Sequence, residues 1–217
     1  MWLLLSPTRL EAPFLQGEPF AFLAWRGLKG PGFVYLETGI GKVNAAMALA
    51  AYAARNPVEK ALLFGLAGAY PGGPSLGEAV LVEEEVEADL GLKEGLAPLG
   101  FPALALGERR YFNRFPLDPG LTGELARGLG LKVAVGLTRD LVSETPEEAR
   151  AWARYGVLAF EMEASALFLL GRMRGVRTGA ILAVSNRIGD PELAPPEVLQ
   201  EGVRRMVEVA LEAVLEV

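Results

Sequence analysis

The sequence predicts an α/β protein, and three observations predict it. Short apolar runs recur with the length of buried strands, among them Trp2 to Leu5, Lys60 to Phe64, Leu131 to Thr138, Val157 to Phe160 and Thr178 to Val184. Helical segments stand between them, the clearest opening at Thr145-Pro146-Glu147-Glu148 with an N-cap, a proline at the first position and acids in the first turn. Polar residues gather where strands end: Glu161-Met162-Glu163 after one, Ser185-Asn186 after another. In α/β sheets ligands bind beyond strand carboxyl ends, so acids and an amide there mark a candidate site.

Size and composition narrow the field. With 217 residues, 51% of them hydrophobic, the chain suits one compact domain over residues 1–217 with an ample core. A formal charge of −6 argues against nucleic acid or an anionic membrane as partner. No apolar run reaches the ~20 residues of a membrane span. The opening Met1-Trp2-Leu3-Leu4-Leu5-Ser6-Pro7 lacks the basic segment of a signal peptide and reads as a first strand, so a cytoplasmic protein is expected. Cysteine is absent, which excludes disulfides and thiolate metal sites. Histidine is absent too, which removes Ser-His-Asp and Cys-His catalysis and most transition-metal sites. Carboxylates, Arg, Lys, Tyr and backbone dipoles are left for chemistry, and neither metal nor cofactor is expected. Arg well above Lys, few Asn and Gln and many Pro fit a thermophile or a high-GC genome.

Taken in order, strand Trp2 to Leu5 leads to Thr8 and Glu11, whose spacing is that of a capping box. Phe20 to Trp25 and Phe33 to Leu36 are expected as strands around a turn-rich Gly27 to Gly32. Thr38-Gly39-Ile40-Gly41-Lys42 opens a helix to about Ala54, a shape that turns backbone N–H groups toward an anion. It is not a Walker A loop, because no Gly stands five residues before Gly41 and Val43 occupies the Ser/Thr place. The strand Lys60 to Phe64 runs into the glycine-rich Gly65 to Gly73, whose glycines either let the backbone approach a ligand or merely allow a turn. Gly77 to Val86 is expected as a long strand carrying Glu83-Glu84-Glu85 on a solvated face. Gly91 to Gly120, with Arg109, Arg110, Tyr111, Phe112, Asn113 and Arg114, reads as an irregular excursion. After the strand Leu131 to Thr138 comes a helix from Ser143 to Tyr155. The helix Ala164 to Met173 is apolar at nearly every position, so burial on most sides is expected, and Gly175 stops it. An amphipathic helix from about Pro196 to Glu216 closes the chain.

Five motifs in this order carry a resemblance: Glu11 after the first strand, Thr38-Gly39-Ile40-Gly41-Lys42, Gly65-Leu66-Ala67-Gly68, Glu161-Met162-Glu163-Ala164 and Ser185-Asn186. Together they resemble the nucleoside phosphorylase/nucleosidase superfamily, from residue 2 to about 190. The nearest branches are the futalosine hydrolases and the methylthioadenosine/S-adenosylhomocysteine nucleosidases. The resemblance implies a central mixed β-sheet closed into a distorted barrel and flanked by helices, assembled as a homo-oligomer. It also implies a purine nucleoside as small-molecule partner and cleavage of its N-glycosidic bond. Such cleavage passes through an oxocarbenium-like sugar, which anionic groups beneath it stabilise. By the family motif Glu163, helped by the Met162 backbone, holds the ribose diol, and Glu11 orients or deprotonates the attacking water. Phosphorylase branches carry arginines at the glycine loops, where this chain has Ile40 and Leu66, so water is expected as nucleophile; Arg9 lies close enough in sequence to keep phosphate open.

Adenine nucleosidases carry Asp where Asn186 stands. An amide donates to N7 or O6 of a 6-oxopurine but supplies no proton. With Ser185, the Gly65 to Ala69 stretch and Leu182, Asn186 resembles the futalosine hydrolase branch, whose substrate is a hypoxanthine nucleoside with an aromatic carboxylate arm on the 5′ carbon, in a menaquinone pathway. Phe160 is a candidate to stack on the purine. Phe64, Tyr70, Phe112 and Phe160, with Arg109, Arg110, Arg114 or Arg187, are the candidates for the arm. Two alternatives stay open: an adenine nucleosidase of the methylthioadenosine type that has lost its Asp, and a non-catalytic nucleoside-binding protein.

Overall fold

The computed structural model describes residues 1–89, 102–106, 109–112, 114–142, 144–190 and 192–216. The strands in the first half are β1 (Trp2–Ser6), β2 (Glu18–Phe22), β3 (Trp25–Gly30), β4 (Phe33–Glu37), β5 (Lys60–Ala69) and β6 (Ala79–Glu87). Those in the second are β7 (Pro102–Leu106), β8 (Arg109–Phe112), β9 (Arg114–Pro116), β10 (Lys132–Thr138), β11 (Val157–Glu161) and β12 (Arg177–Arg187). The helices are α1 (Lys42–Ala53), α2 (Pro119–Leu129), α3 (Pro146–Arg154), α4 (Ala164–Arg174) and α5 (Pro196–Glu216).

Among the described residues, ten strands form one sheet in the order β11-β10-β6-β12-β5-β1-β4-β3-β2, with β9 on β6; β7 and β8 pair apart from it. β11 also pairs with β5, so β5, β12, β6, β10 and β11 close into a barrel. β1, β4, β5 and β12 run parallel, whereas β6 is antiparallel to β12 and β11 to β5. This is the mixed, barrel-closing sheet that the motifs imply.

Side chains alternate across the pleat, and both faces are covered. Leu3, Leu5, Ala61 and Leu63 point into one core with Leu49 and Tyr52 of α1 and Leu167 and Phe168 of α4. Leu4, Leu62 and Phe64 point into the other with Val203, Met206, Val207 and Ala210 of α5. That apolar stripe on α5 is the amphipathic face expected from its spacing.

Several boundaries differ from the sequence expectation. Gly27 to Gly30 is strand, not turn, since β3 pairs with both β2 and β4; the expected turn narrows to Pro31 and Gly32, and a second reversal at Leu23, which adopts φ 54°, splits the expected strand Phe20 to Trp25. Gly27 is needed there because a Cβ would come 1.8 Å from the Tyr35 carbonyl oxygen. Gly65 and Gly68 likewise lie inside β5, not in a turn after it. The acidic run is not uniformly solvated, since Glu83 is exposed and Glu85 is fully buried. The stretch after residue 90 contains β7, β8 and β9, and α2 follows. Its signals, Asp118 accepting from the Leu121 N–H at 2.7 Å and Gly130 left-handed at φ 62°, are masked in sequence by Gly120, Gly123 and Gly128. Asn113 and Ser143 lie outside the described residues, and the helix expected from Ser143 begins at Pro146.

Candidate active site

The barrel closure creates the site. β11 meets β5 antiparallel over only Ala159↔Ala69 and Phe160↔Gly68. That pairing sets the carboxyl end of β11 against the carboxyl end of β5, beside that of β12, where Asn186 registers with Gly68. A bulge between Val184 and Asn186 re-aims the side chains there. A cavity of about 310 Å³ opens at this point. From the motifs, Glu11, Ile40, Leu66, Ala67, Gly68, Phe160, Glu161, Met162, Glu163, Ser185 and Asn186 line it, whereas Thr38, Gly39, Gly41, Lys42, Gly65, Ala164 and Leu182 do not. Pro7, Thr8, Leu10, Val142 and Ile188 line it as well. Of these only Thr8 carried a signal in sequence, as a cap.

The acidic end is built from helix N-termini and a turn. Glu11 lies in a 3-10 turn, Arg9–Glu11, after β1, and serves two partners. Its Oε2 accepts from the Thr8 N–H at 2.8 Å and the Thr8 hydroxyl at 3.0 Å. Its Oε1 accepts from the Leu66 N–H at 3.0 Å. The capping and cavity roles of this acid therefore coexist. Gly65 makes room for it, since a Cβ there would sit 3.2 Å from Oε1. Burial holds the Glu11 carboxyl above its ordinary range, against the pull of these hydrogen bonds.

Glu161 and Glu163, two residues apart, bind different partners. Glu161 Oε2 accepts from the N–H groups of Glu163 and Ala164 at 2.6 and 2.7 Å, so Glu161 is the acid at the N-terminus of α4. Its Oε1 accepts from the Thr138 hydroxyl. Glu163 Oε1 instead accepts from the Gly41 N–H at 2.7 Å, at the N-terminus of α1. Gly41 adopts φ 96°, a conformation that glycine reaches without strain. The glycine loop thus turns its N–H on a carboxyl oxygen, that of the chain's own Glu163. Burial raises the Glu163 carboxyl well above the ordinary range, and the Glu161 charge adds to it.

The other end is neutral. The Ser185 hydroxyl donates to Asn186 Oδ1 at 2.9 Å, and Asn186 Nδ2 lies 3.3 Å from the Arg187 carbonyl. Gly68 leaves room beneath them for Ile188, whose Cδ1 would lie 2.3 Å from a Cβ there and would have to turn away. A second cavity, of about 300 Å³, adjoins at this end and shares Val142, Phe160, Asn186 and Ile188.

Among the described lining residues there is no lysine or arginine. Arg9 does not line the cavity: its Nη2 donates to the Leu15 carbonyl at 2.7 Å and its guanidinium lies 5.8 Å from the Tyr35 ring centroid. Lys42 Nζ reaches Glu87 at 2.7 Å and Asp89 at 2.5 Å. Of the candidates for the arm, Phe64 is a core residue against Tyr35, Tyr70 is buried and donates to Glu144 at 2.8 Å, and Arg114 is forked onto Glu84 at 2.6 Å. Arg187 lines the second cavity. The side chains of Arg109, Arg110 and Phe112 lie outside the described residues.

The chain belongs to the phosphorylase superfamily, whose family model matches residues 11–217. It is 85% identical over 190 residues to the futalosine hydrolase of Thermus thermophilus, a span of 87% of this chain and 84% of that protein. Its fold superposes on the 5′-methylthioadenosine/S-adenosylhomocysteine nucleosidase of Neisseria meningitidis with a TM-score of 0.81 at 20% identity, over 100% of this chain and 99% of that one. A futalosine hydrolase mutant of Helicobacter pylori gives 0.81 at 18% identity, again over 100% and 99%.

Proposed function

We propose that this chain hydrolyses the N-glycosidic bond of futalosine and releases hypoxanthine, a step in menaquinone biosynthesis. The identity to the Thermus enzyme supports the substrate. The observation that carries hydrolysis over phosphorolysis is the lining of the cavity: Glu11, Glu161 and Glu163 with no lysine or arginine among its described residues. A phosphate dianion entering there would meet like charge and lose its hydration without compensation. A sugar turning cationic would be stabilised by the same charges.

In this reading Glu11 orients and deprotonates the water that attacks C1′. Glu163, with the Met162 backbone, accepts from the ribose hydroxyls beneath the developing cation. Phe160 packs on the purine, and Asn186, its Oδ1 occupied by the Ser185 hydroxyl, offers N–H to N7 or O6 of the lactam. An amide supplies no proton, so the departing base is steadied by hydrogen bonding and takes its proton from water. With Asn186 at the purine end, Arg187 lies beyond the base, which leaves the 5′ arm to the rim at Leu10 and Ile40.

Exposed Ile40, just before α1, with Val43 and Met47 on that helix, supports a homo-oligomer that buries them. Residues 1–217 then act as one domain in the cytoplasm, a location with which the lack of any helix apolar enough to cross a membrane, among the described residues, is consistent. The arginine-rich composition and the Thermus relative support a thermophilic source.

The test is incubation with futalosine, with and without phosphate, following hypoxanthine and the sugar product. Release at equal rate in both, with a free rather than phosphorylated sugar, is expected. A phosphate requirement overturns hydrolysis, and preference for methylthioadenosine overturns the substrate.

A further inference from the structure

Behind the acidic end lies a carboxyl to which the proposed mechanism assigns no task. Glu85, on β6 inside the barrel, has none of its surface exposed. Its Oε2 lies 3.3 Å from Thr138 Oγ1, and among the described residues its Oε1 has no hydrogen-bond partner. That oxygen sits over Gly136, where a Cβ would come within 2.0 Å of it. Among the described residues no lysine or arginine pairs with Glu85, whereas its neighbour Glu87 holds Lys42 Nζ at 2.7 Å and the Ser165 hydroxyl at 2.6 Å.

Counting protons orders the contacts around Thr138. A hydroxyl has one hydrogen to give and two lone pairs to fill. Thr138 Oγ1 accepts from the Ser165 N–H at 3.0 Å. Its own hydrogen goes to the closer carboxylate, Glu161 Oε1, which leaves none for Glu85 at 3.3 Å. A hydrogen bond between Glu85 and Thr138 then requires Glu85 to bring the proton. An ionised Glu85 would have no donor on either oxygen, and an unpaired buried carboxylate is strongly disfavoured. Burial and the charge of Glu161 push its carboxyl upward in agreement with this.

We propose that Glu85 is a positioning residue: a carboxyl that donates to Thr138, so that Thr138 donates to Glu161 and Glu161 holds the backbone N–H groups of Glu163 and Ala164. The chain begins in the middle of the barrel and ends on the backbone of the acid that faces the sugar. Its effect on catalysis rests on the reading of Glu163 given above; its effect on the backbone does not. With Glu85 in place, all three positions on Thr138 Oγ1 are used, and Glu161, its own carboxyl raised to about 7 by burial, keeps Oε2 for the N–H groups at the start of α4. Without the donor, one lone pair of a buried hydroxyl goes empty and the pair Thr138–Glu161 loses its fixed orientation.

Three variants test this. Glu85→Gln retains a donor of the same shape, Glu85→Met removes it, and Thr138→Val cuts the chain at its middle with little change of volume. Amide hydrogen exchange at Glu163 and Ala164, compared with the remaining α4 amides, reads the chain without substrate. Exchange at those two amides is expected to rise about tenfold in Glu85→Met and Thr138→Val and to stay within about twofold of the parent in Glu85→Gln. With futalosine, kcat/KM is expected to fall about tenfold in the first two and to be retained in the third. The double variant is expected to be no worse than either single one, and hypoxanthine affinity, read at the Asn186 end, to be unchanged throughout. If Glu85→Gln behaves like Glu85→Met, the donor is not what matters and the proposal falls. It falls equally if Thr138→Val leaves exchange at both amides untouched, a measurement that stands even where Glu85→Met fails to fold. Failure of the parent protein to cleave futalosine would sink the functional reading but not the exchange result.

Discussion

The two ends of the cavity are built on opposite principles. At the acidic end three carboxylates share a small buried volume, each held by backbone N–H groups: Leu66 and Thr8 on Glu11, Gly41 on Glu163, Glu163 and Ala164 on Glu161. At the amide end Ser185 and Asn186 are neutral, and fit is set by Gly68 and Ile188 packed within a carbon's reach of each other. The first arrangement stores charge at the expense of raised carboxyl affinities for protons, as burial and mutual repulsion do at Glu11 and Glu163. The second stores shape and a directed hydrogen bond. A reaction that builds positive charge on a sugar and releases a neutral base needs one of each.

The contrast can be broken from either side. The largest effect is expected from Glu11→Gln, which keeps an acceptor for the Leu66 N–H but removes the proposed base: kcat should fall roughly a thousandfold while KM changes little. Glu163→Gln should lower kcat/KM roughly a hundred- to thousandfold, with KM contributing, because ground-state hydroxyl contacts go with the charge. At the amide end Asn186→Asp should move the ratio of 6-oxopurine to 6-aminopurine cleavage roughly ten- to a hundredfold toward the amino base, read by competing futalosine against its 6-amino analogue. An unchanged ratio would remove Asn186 from base selection. Gly68→Ala should lower stability by about 1–3 kcal/mol through the clash with Ile188, measured as a drop in denaturation midpoint.

The smallest effect sharpens the difference in charge. Glu163 is raised in the folded chain, so the folded state holds its proton more readily than the unfolded one. Stability from this group is therefore greatest below the ordinary carboxylate range and declines as pH rises toward the raised value. Glu163→Gln removes that decline. The variant should match the parent at pH 4 and exceed it by about 1–2 kcal/mol at pH 8, a gain in stability accompanying a loss of activity. A parent that gained stability on its variant between pH 4 and pH 8 would show the charge to be favoured rather than tolerated.

Much of this was legible before any coordinates. Local signals announced themselves: Thr145-Pro146-Glu147-Glu148 starts α3, Gly175 ends α4 at φ 68°, and Pro196 to Glu216 is α5 to the residue. Caps and amphipathic stripes are written in neighbouring residues, so one sequence suffices to read them. Glycines were less transparent. A glycine that relieves a clash inside a strand, as Gly27 and Gly68 do, has the same letter as one that makes a turn, and only the approaching partner tells them apart. Glu85 went unseen for a related reason: in an acidic run the buried member differs from its exposed neighbours only in which way the pleat turns it and what stands opposite.

By itself the sequence determined the chemistry available: carboxylates and an amide without histidine or cysteine, at the ends of apolar strands, in an order shared with a known superfamily. The tertiary structure decided how those groups meet. β6, β10 and β11 run against β12 and β5, so in a flat sheet Glu161 and Glu163 would end at the far edge from Asn186. Two residue pairs between β11 and β5 close the barrel and fold those edges together. Strand direction and closure depend on contacts far apart in the chain, which no local pattern encodes, and it is they that turn three acids and an amide into one cavity.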